Sequence, residues 1–416
     1  MGKRAVLIGN GGAAVECMLA LRRYGYDGRI DVFAETDLPV YNPMLTSYYA
    51  AGKIDYPVMF PYGNDLSVFD RAEAVFHPRC PVTRLDGRGH LVETADGDIY
   101  PFDHCLIASG ARAFVPPFPG SDSRRMFTMR TAADAVAVHE AMKALKPRKA
   151  LVVGASMVGI KLVELFYKAG VDCVLADMAP YIFPLAASER CAHYIEDRLR
   201  RKGIGLLFGA GIERLEETES GVRAYFKGLP DPVEADIVMM CIGVRANLDF
   251  VDQEEIACKQ GVLIDTHMRS NLPGIYAAGD CAQGYNLLTG EPQIIGLWAN
   301  ARMQGKTAGA NMAGADVQYP GEILHNITHF MGMDFIGLGD VKEHTDVRQA
   351  MNDRQYAELF YRDGELVGAN FVDLIESSGV LKAAMRRALI AKDHLPAEGH
   401  TVTVQKYLLA ELEKML

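Results

Sequence analysis

The chain has no apolar run long enough to cross a bilayer, which excludes a transmembrane helix. Its eight cysteines, at 17, 80, 105, 173, 191, 241, 258 and 281, form no C-x-x-C pair. Neither a dithiol redox motif nor a thiolate zinc or iron–sulfur site is therefore signalled, and no metal site is expected. The thiols read as buried and reduced. Positive charge is in deficit: 43 Lys and Arg against 53 Asp and Glu give a formal net charge of −10. Nucleic acid and anionic membrane surfaces are disfavoured as main partners. Met1-Gly2-Lys3-Arg4 runs straight into an apolar strand, so no signal peptide is expected and a cytoplasmic location is the default. At 416 residues two or three domains are expected.

What is present is organised around the stretch Ala5 to Glu35. Ala5-Val6-Leu7-Ile8 reads as a buried strand and Gly9-Asn10-Gly11-Gly12-Ala13-Ala14 as a glycine turn. A helical run to Tyr24 follows, then the strand Arg29-Ile30-Asp31-Val32-Phe33-Ala34-Glu35, ending in an acid. Each part serves a dinucleotide. Gly9 allows the tight turn, Gly11 lets backbone approach a pyrophosphate, and Ala14 keeps helix and strand close. The helix N-terminus attracts phosphates, and Glu35 accepts from ribose hydroxyls.

A second unit of the same kind begins at Lys149. Ala150-Leu151-Val152-Val153 is an apolar strand, Gly154-Ala155-Ser156-Met157-Val158-Gly159 a glycine turn with serine in place of the middle glycine, and Ile160 to Lys168 a helix. Cys173-Val174-Leu175-Ala176-Asp177 is the next strand with its acid. Asp177 suits a ribose diol and repels a 2′-phosphate. Met178-Ala179-Pro180-Tyr181 supplies no arginine, so NAD(H) is preferred over NADP(H).

Between these units, Thr36 to Leu45 reads as a loop, Thr46 to Ala51 as a short helix, and residues 74 to 110 as short strands and turns closed by Gly110. Pro116 to Gly120 reads as a linker. Two later strands end in glycine: Asp236 to Gly243, and Gly274 to Gly279 with Asp280 after it. Read alone, either is ordinary α/β scaffolding, although Asp280 stands where open α/β sheets bind ligands. Gln355 to Phe360 and Leu366 to Phe371 form a hairpin through Arg362-Asp363-Gly364. Glu376 to Ala391 reads as a helix, and Val404 to Leu416 as an amphipathic helix for core or subunit packing.

Together these motifs resemble the FAD-dependent pyridine nucleotide–disulfide oxidoreductase superfamily, in its rubredoxin reductase, ferredoxin reductase and NADH-oxidase-like branch. The resemblance covers almost the whole chain. It implies an α/β fold with two Rossmann-like domains and a C-terminal α+β interface domain. The FAD-binding domain would be residues 1–115 with 245–318, the NAD-binding domain 116–244, and the interface domain 319–416. Gly9, Gly11, Ala13, Ala14 and Glu35 resemble the FAD pyrophosphate and ribose site. Ser109-Gly110, after Cys105 to Ala108, resembles the end of the family's A-T-G strand. Gly154, Ser156, Val158, Gly159 and Asp177 resemble the NAD site. Gly243-Val244-Arg245-Ala246-Asn247 resembles a G-x-R-P-N segment. Gly279-Asp280 resembles the pair that contacts the FAD ribityl and phosphates, and Trp298 lies in a segment similar to the one beside the flavin ring.

The departures carry information. The helix Gly12 to Tyr24 has only Cys17, and Tyr41 to Ser47 has no cysteine, so disulfide, coenzyme A disulfide and single-cysteine peroxide chemistry lose support. Ferredoxin-reductase-like proteins carry a lysine in the loop helix, missing here, and a glutamate where this chain has Lys161. Lys161 and Glu164 share a helical face and read either as a surface ion pair or, for Lys161, as a cofactor contact. His325 and His329 lack a thiol partner and read as structural. No general acid or base is named, because flavin and nicotinamide carry hydride chemistry themselves.

Three functions remain open: a reductase passing electrons between NAD(H) and ferredoxin, rubredoxin or oxygen; the NAD-coupling flavin subunit of an iron–sulfur complex such as a phenylglyoxylate-type 2-oxoacid dehydrogenase; and a non-catalytic NADH-responsive flavoprotein. Local basic stretches (Lys146, Arg148, Lys149; Arg198, Arg200, Arg201, Lys202) offer docking charge against the acidic background. The oligomeric state stays open between homodimer and hetero-oligomer.

Overall fold

The computed structural model describes residues 3–392, so the expected helix Val404 to Leu416 lies outside the described residues. The chain divides into two compact units. One combines the described residues up to Thr46 with Ile54–Arg112 and Val244–Glu322. The other combines Ser47–Lys53, Ala113–Gly243 and the described residues from Ile323 on.

The first unit is built on a five-stranded parallel sheet. Arg4–Ile8 lies at its centre, between Arg29–Phe33 and His104–Ile107, with Ala74–His77 and Ile275–Ala277 at the edges. Ala5 to Ile8 are buried, which explains their continuous apolar run: a parallel strand covered on both faces has no polar side to show. Because every strand runs the same way, Gly9, Ala108 and Ala278 all leave the sheet at its carboxyl edge, where open α/β sheets place their ligands. Helix Gly12–Arg23 packs closely on helix Trp298–Met312. A Cβ at Gly305 would lie 2.0 Å from Ala13 O, and one at Gly309 2.3 Å from Cys17 O. Glycine at both positions is what lets the two backbones meet.

The second unit repeats the parallel architecture in the order Gly205–Phe208, Asp172–Asp177, Lys149–Val153, Ile237–Met240, Met126–Phe127. Pro116 to Gly120, read above as a linker, is instead held down. Leu215 N–H donates to Pro119 O at 2.9 Å, because the neighbouring strand Ile212–Glu217 offers this segment a backbone donor. From His325 onward the unit adds a five-stranded antiparallel sheet. Its hairpin Tyr356–Arg362/Glu365–Val372 turns through Asp363 (φ 53°) and Gly364 (φ 83°). Two consecutive positive φ angles match the right-handed strand twist. Helix Glu376–Lys392 follows.

Phe183 is a bulky residue of this unit with a left-handed backbone. It adopts φ 54° although 2% exposed, a conformation costly for a bulky residue. Its ring stacks on Phe335 with centroids 4.7 Å apart and meets Phe330 edge-on. The aromatic packing holds the strained turn in place.

Candidate functional site

In the first unit the carboxyl edge of the sheet gathers the residues singled out from the sequence. Gly9 has φ 108°, and a Cβ there would lie 2.3 Å from Ala108 O. Its N–H donates to Phe33 O at 2.8 Å, joining the turn to the strand that leads to exposed Glu35. Gly11 precedes the helix, with no side-chain acceptor for the helix N–H groups and open space where a Cβ would stand. A helix start of this kind presents bare donors, and a diphosphate is the group that suits them. Gly279 packs against Ala13 and Ala301, each 3.5 Å from where its Cβ would be. Gln304 holds Gly279 by accepting its N–H at 2.8 Å, and Asp280 follows it, its Oδ1 3.8 Å from where a Cβ on Gly296 would sit. The Trp298 indole covers Gly12, 2.7 Å from where a Cβ would sit.

Ser109 and Gly110 are clasped by Asn247. Ser109 Oγ donates to Asn247 O at 2.6 Å, Asn247 Nδ2 to Ser109 O at 3.1 Å, and Asn247 N–H to Gly110 O at 3.0 Å. Three hydrogen bonds thus join two segments 138 positions apart. Asn247 was legible only as part of a motif, because its partners are far away in sequence.

The second unit's glycine turn is fixed from both sides. Ala155 N–H donates to Asp177 Oδ2 at 2.6 Å, and Ala155 O accepts from Phe183 N–H at 2.9 Å. Asp177 Oδ1 also accepts from Ala179 N–H at 2.8 Å. A carboxylate has about four lone-pair directions, so both oxygens retain capacity for a diol. Gly154 has φ 114°, and a Cβ on Gly159 would lie 1.9 Å from Gly154 O. Ser156 caps helix Met157–Lys168 by accepting the Gly159 N–H, and Val158 is exposed in the first turn. Gly243 has φ 122° with open space about it, and its carbonyl accepts from Phe114 N–H at 2.9 Å.

Of the two readings of Lys161 and Glu164, the surface ion pair between them does not form. Glu164 is 1% exposed and is bound by Lys53 at 2.6 Å, Lys168 at 3.0 Å and Met331 N–H at 3.1 Å. Burial pushes its carboxyl upward, but these donors outweigh burial and bring it down to about 2. Lys161 turns the other way. It donates to Tyr48 Oη at 3.1 Å and to His329 O, with its ammonium over the Tyr48 ring. Lys53 was missed in the sequence because it falls past the short helix Thr46–Ala50, where no local pattern marks it. His329 pairs with Asp334 at 2.8 Å, and burial, then Lys382, lowers His325 to about 4.

Of the basic stretch, Arg198 pairs with Asp373 at 2.6 Å and Arg200 with Glu196 at 3.2 Å, which reduces the charge it offers outward. Burial is the leading cause that raises every one of the eight thiols above the ordinary value, Cys173 and Cys241 to about 12. A thiol is nucleophilic only as thiolate. Among the described residues no helix is long and apolar enough to span a membrane, and no group of three or more His, Cys, Asp or Glu could hold a metal.

The family profile described as pyridine nucleotide-disulphide oxidoreductase matches residues 3–305. The chain belongs to this family. It is an NADH-dependent flavoprotein oxidoreductase, with FAD and NAD(H) as its cofactors. It is 28% identical to the NADH-dependent phenylglyoxylate dehydrogenase subunit epsilon of Aromatoleum evansii over 92% of this chain and 91% of that one. To the rubredoxin-NAD(+) reductase of Pseudomonas putida it is 23% identical over 92% and 98%. Its fold matches a NAD-dependent persulfide reductase from A. fulgidus with TM-score 0.88 at 22% identity, over 99% of this chain and 83% of the other.

Proposed function

We propose that this flavoprotein passes electrons between NAD(H) and a one-electron protein carrier such as a ferredoxin or rubredoxin. FAD is assigned to the first unit, at Gly9, Gly11, Ala13, Ala14, Glu35, Ser109, Gly110, Gly279, Asp280 and Trp298. NAD(H) is assigned to the second, at Gly154, Ser156, Val158, Gly159, Lys161 and Asp177, with Gly243 at the end of that unit's segment Ala113–Gly243. The domain limits 1–115 with 245–318, 116–244 and 319–416 belong to the same reading. The bare helix start at Gly11 and the lone pairs left on Asp177 support it. When bound, FAD supplies the step between two-electron hydride chemistry and single-electron transfer. The protein's share is to hold the phosphates and ribose groups and keep the dinucleotide turns rigid.

The observation that carries the choice of acceptor is the state of the sulfur. Six of the eight thiols are buried, burial raises all eight, and none lies in Tyr41 to Ser47, which supports a carrier other than a disulfide or persulfide. The test is anaerobic reduction of the holoenzyme by NADH, followed by mixing with oxidised ferredoxin, oxidised rubredoxin or a disulfide. Reduction of either iron protein with the disulfide untouched is expected; the reverse result would refute the proposal.

A second reading, the NAD-coupling flavin subunit of a larger iron–sulfur complex, is favoured by the near full-length similarity to the phenylglyoxylate dehydrogenase subunit. Native purification separates the two: iron–sulfur subunits that travel with the chain in fixed ratio support the second, and a chain that travels alone the first.

A further inference from the structure

Helices Gly12–Arg23 and Met157–Lys168 begin alike. The residue before each is extended, with φ −76° and ψ −176° at Gly11, and φ −95° and ψ 175° at Ser156. One side chain separates the two starts. Ser156 Oγ accepts the Gly159 N–H at 3.2 Å and donates to Cys241 O at 3.1 Å. Gly11 offers no such acceptor, although a Cβ there would meet nothing within 4 Å. The N–H groups at a helix start lack partners within the helix, and those are the groups a diphosphate takes. In the second unit one of them is already engaged by the protein itself.

We infer that the Ser156 hydroxyl competes with the NAD(H) pyrophosphate for the Gly159 N–H, and so helps make NAD(H) the exchangeable dinucleotide while FAD stays resident. This rests on the assignment of FAD to the Gly11 turn and NAD(H) to the Ser156 turn. A co-substrate must leave after each turnover, whereas a prosthetic group must not. Two turns of one geometry can meet both needs if one carries its own cap and the other does not.

The experiment uses the flavin-loaded enzyme and NAD+, so that no hydride moves, with binding read by titration calorimetry. Ser156→Ala is expected to bind NAD+ about three- to tenfold more tightly, within the range a side-chain cap contributes, with unchanged flavin content. Gly11→Ser, which places the same hydroxyl in the other turn, is expected to weaken FAD retention by a similar factor, read from the dissociation constant of released flavin. NAD+ binding that is unchanged or weaker in Ser156→Ala would overturn the inference, because the hydroxyl would then serve the phosphate instead of competing with it. FAD retention that is unaltered in Gly11→Ser would overturn it as well, and this arm stands even if Ser156→Ala fails to fold. A wild-type holoenzyme that binds no NAD+ would instead defeat the site assignment.

Discussion

Lys53 Nζ lies 2.6 Å from Glu164 Oε2, across 111 positions of sequence. The contact ties the segment Ser47–Lys53 to the helix that follows the second glycine turn. Its carboxylate also takes the Met331 N–H, so one buried side chain secures three stretches of the second unit.

Glu164→Gln should therefore destabilise the protein by about 2–3 kcal/mol at neutral pH. The sign of its pH dependence is fixed by the depressed carboxyl. Its contribution is fully present above the unfolded value near 4.5 and is lost as pH falls toward about 2. Denaturant melts of wild type and Glu164→Gln should show a gap that is constant above pH 5 and closes between pH 4.5 and 2, within about half a unit. A gap independent of pH would show that the carboxylate is not the stabilising group.

Gly9→Ala should lose most of the flavin. The added methyl group would fall 2.3 Å from the Ala108 carbonyl at a φ of 108°, so the turn must shift. The check is flavin absorbance per mole of purified protein, with circular dichroism to confirm that the fold persists.

The glycine turns, the strand run Ala5 to Ile8 and the Asp363-Gly364 hairpin were legible because local chemistry dictates them: backbone approach, burial on both faces, positive φ. Glu164 was only half legible, for the opposite reason. Its spacing from Lys161 suggested a local pair, whereas its partners Lys53 and Met331 come from segments that only the tertiary fold brings near. Phe183 was illegible too. Nothing in Tyr181 to Pro184 announces a left-handed phenylalanine, whose conformation is held by rings at 330 and 335. In the sequence Ser156 reads as a small substitute for glycine; that it caps its own helix needs the geometry.

Asp177→Ala should weaken NAD+ binding by about ten- to a hundredfold, the loss of charge-assisted hydrogen bonds worth about 1.5–3 kcal/mol. It should also narrow the preference for NADH over NADPH, since the charge that repels a 2′-phosphate is gone. Parallel titrations with both dinucleotides measure this. A variant as selective as wild type would place the selectivity elsewhere.

Native alkylation of the thiols should leave NADH-to-dye turnover nearly unchanged. Burial raises all eight, and only Cys80 and Cys258 are partly exposed. Mass spectrometry of iodoacetamide-treated holoenzyme, with rates before and after, checks this. Complete inactivation on modification of a single cysteine would reinstate a sulfur step.

The close crossing of helices Gly12–Arg23 and Trp298–Met312 has a consequence during synthesis. Helix Gly12–Arg23 is synthesised first, and the partner whose glycines it packs against begins 286 residues later. At about 5–20 residues per second, the nascent chain carries that unmatched surface for roughly 15–60 s. A chain released before that moment would expose the alanine-rich face of helix Gly12–Arg23 to chaperones and proteases.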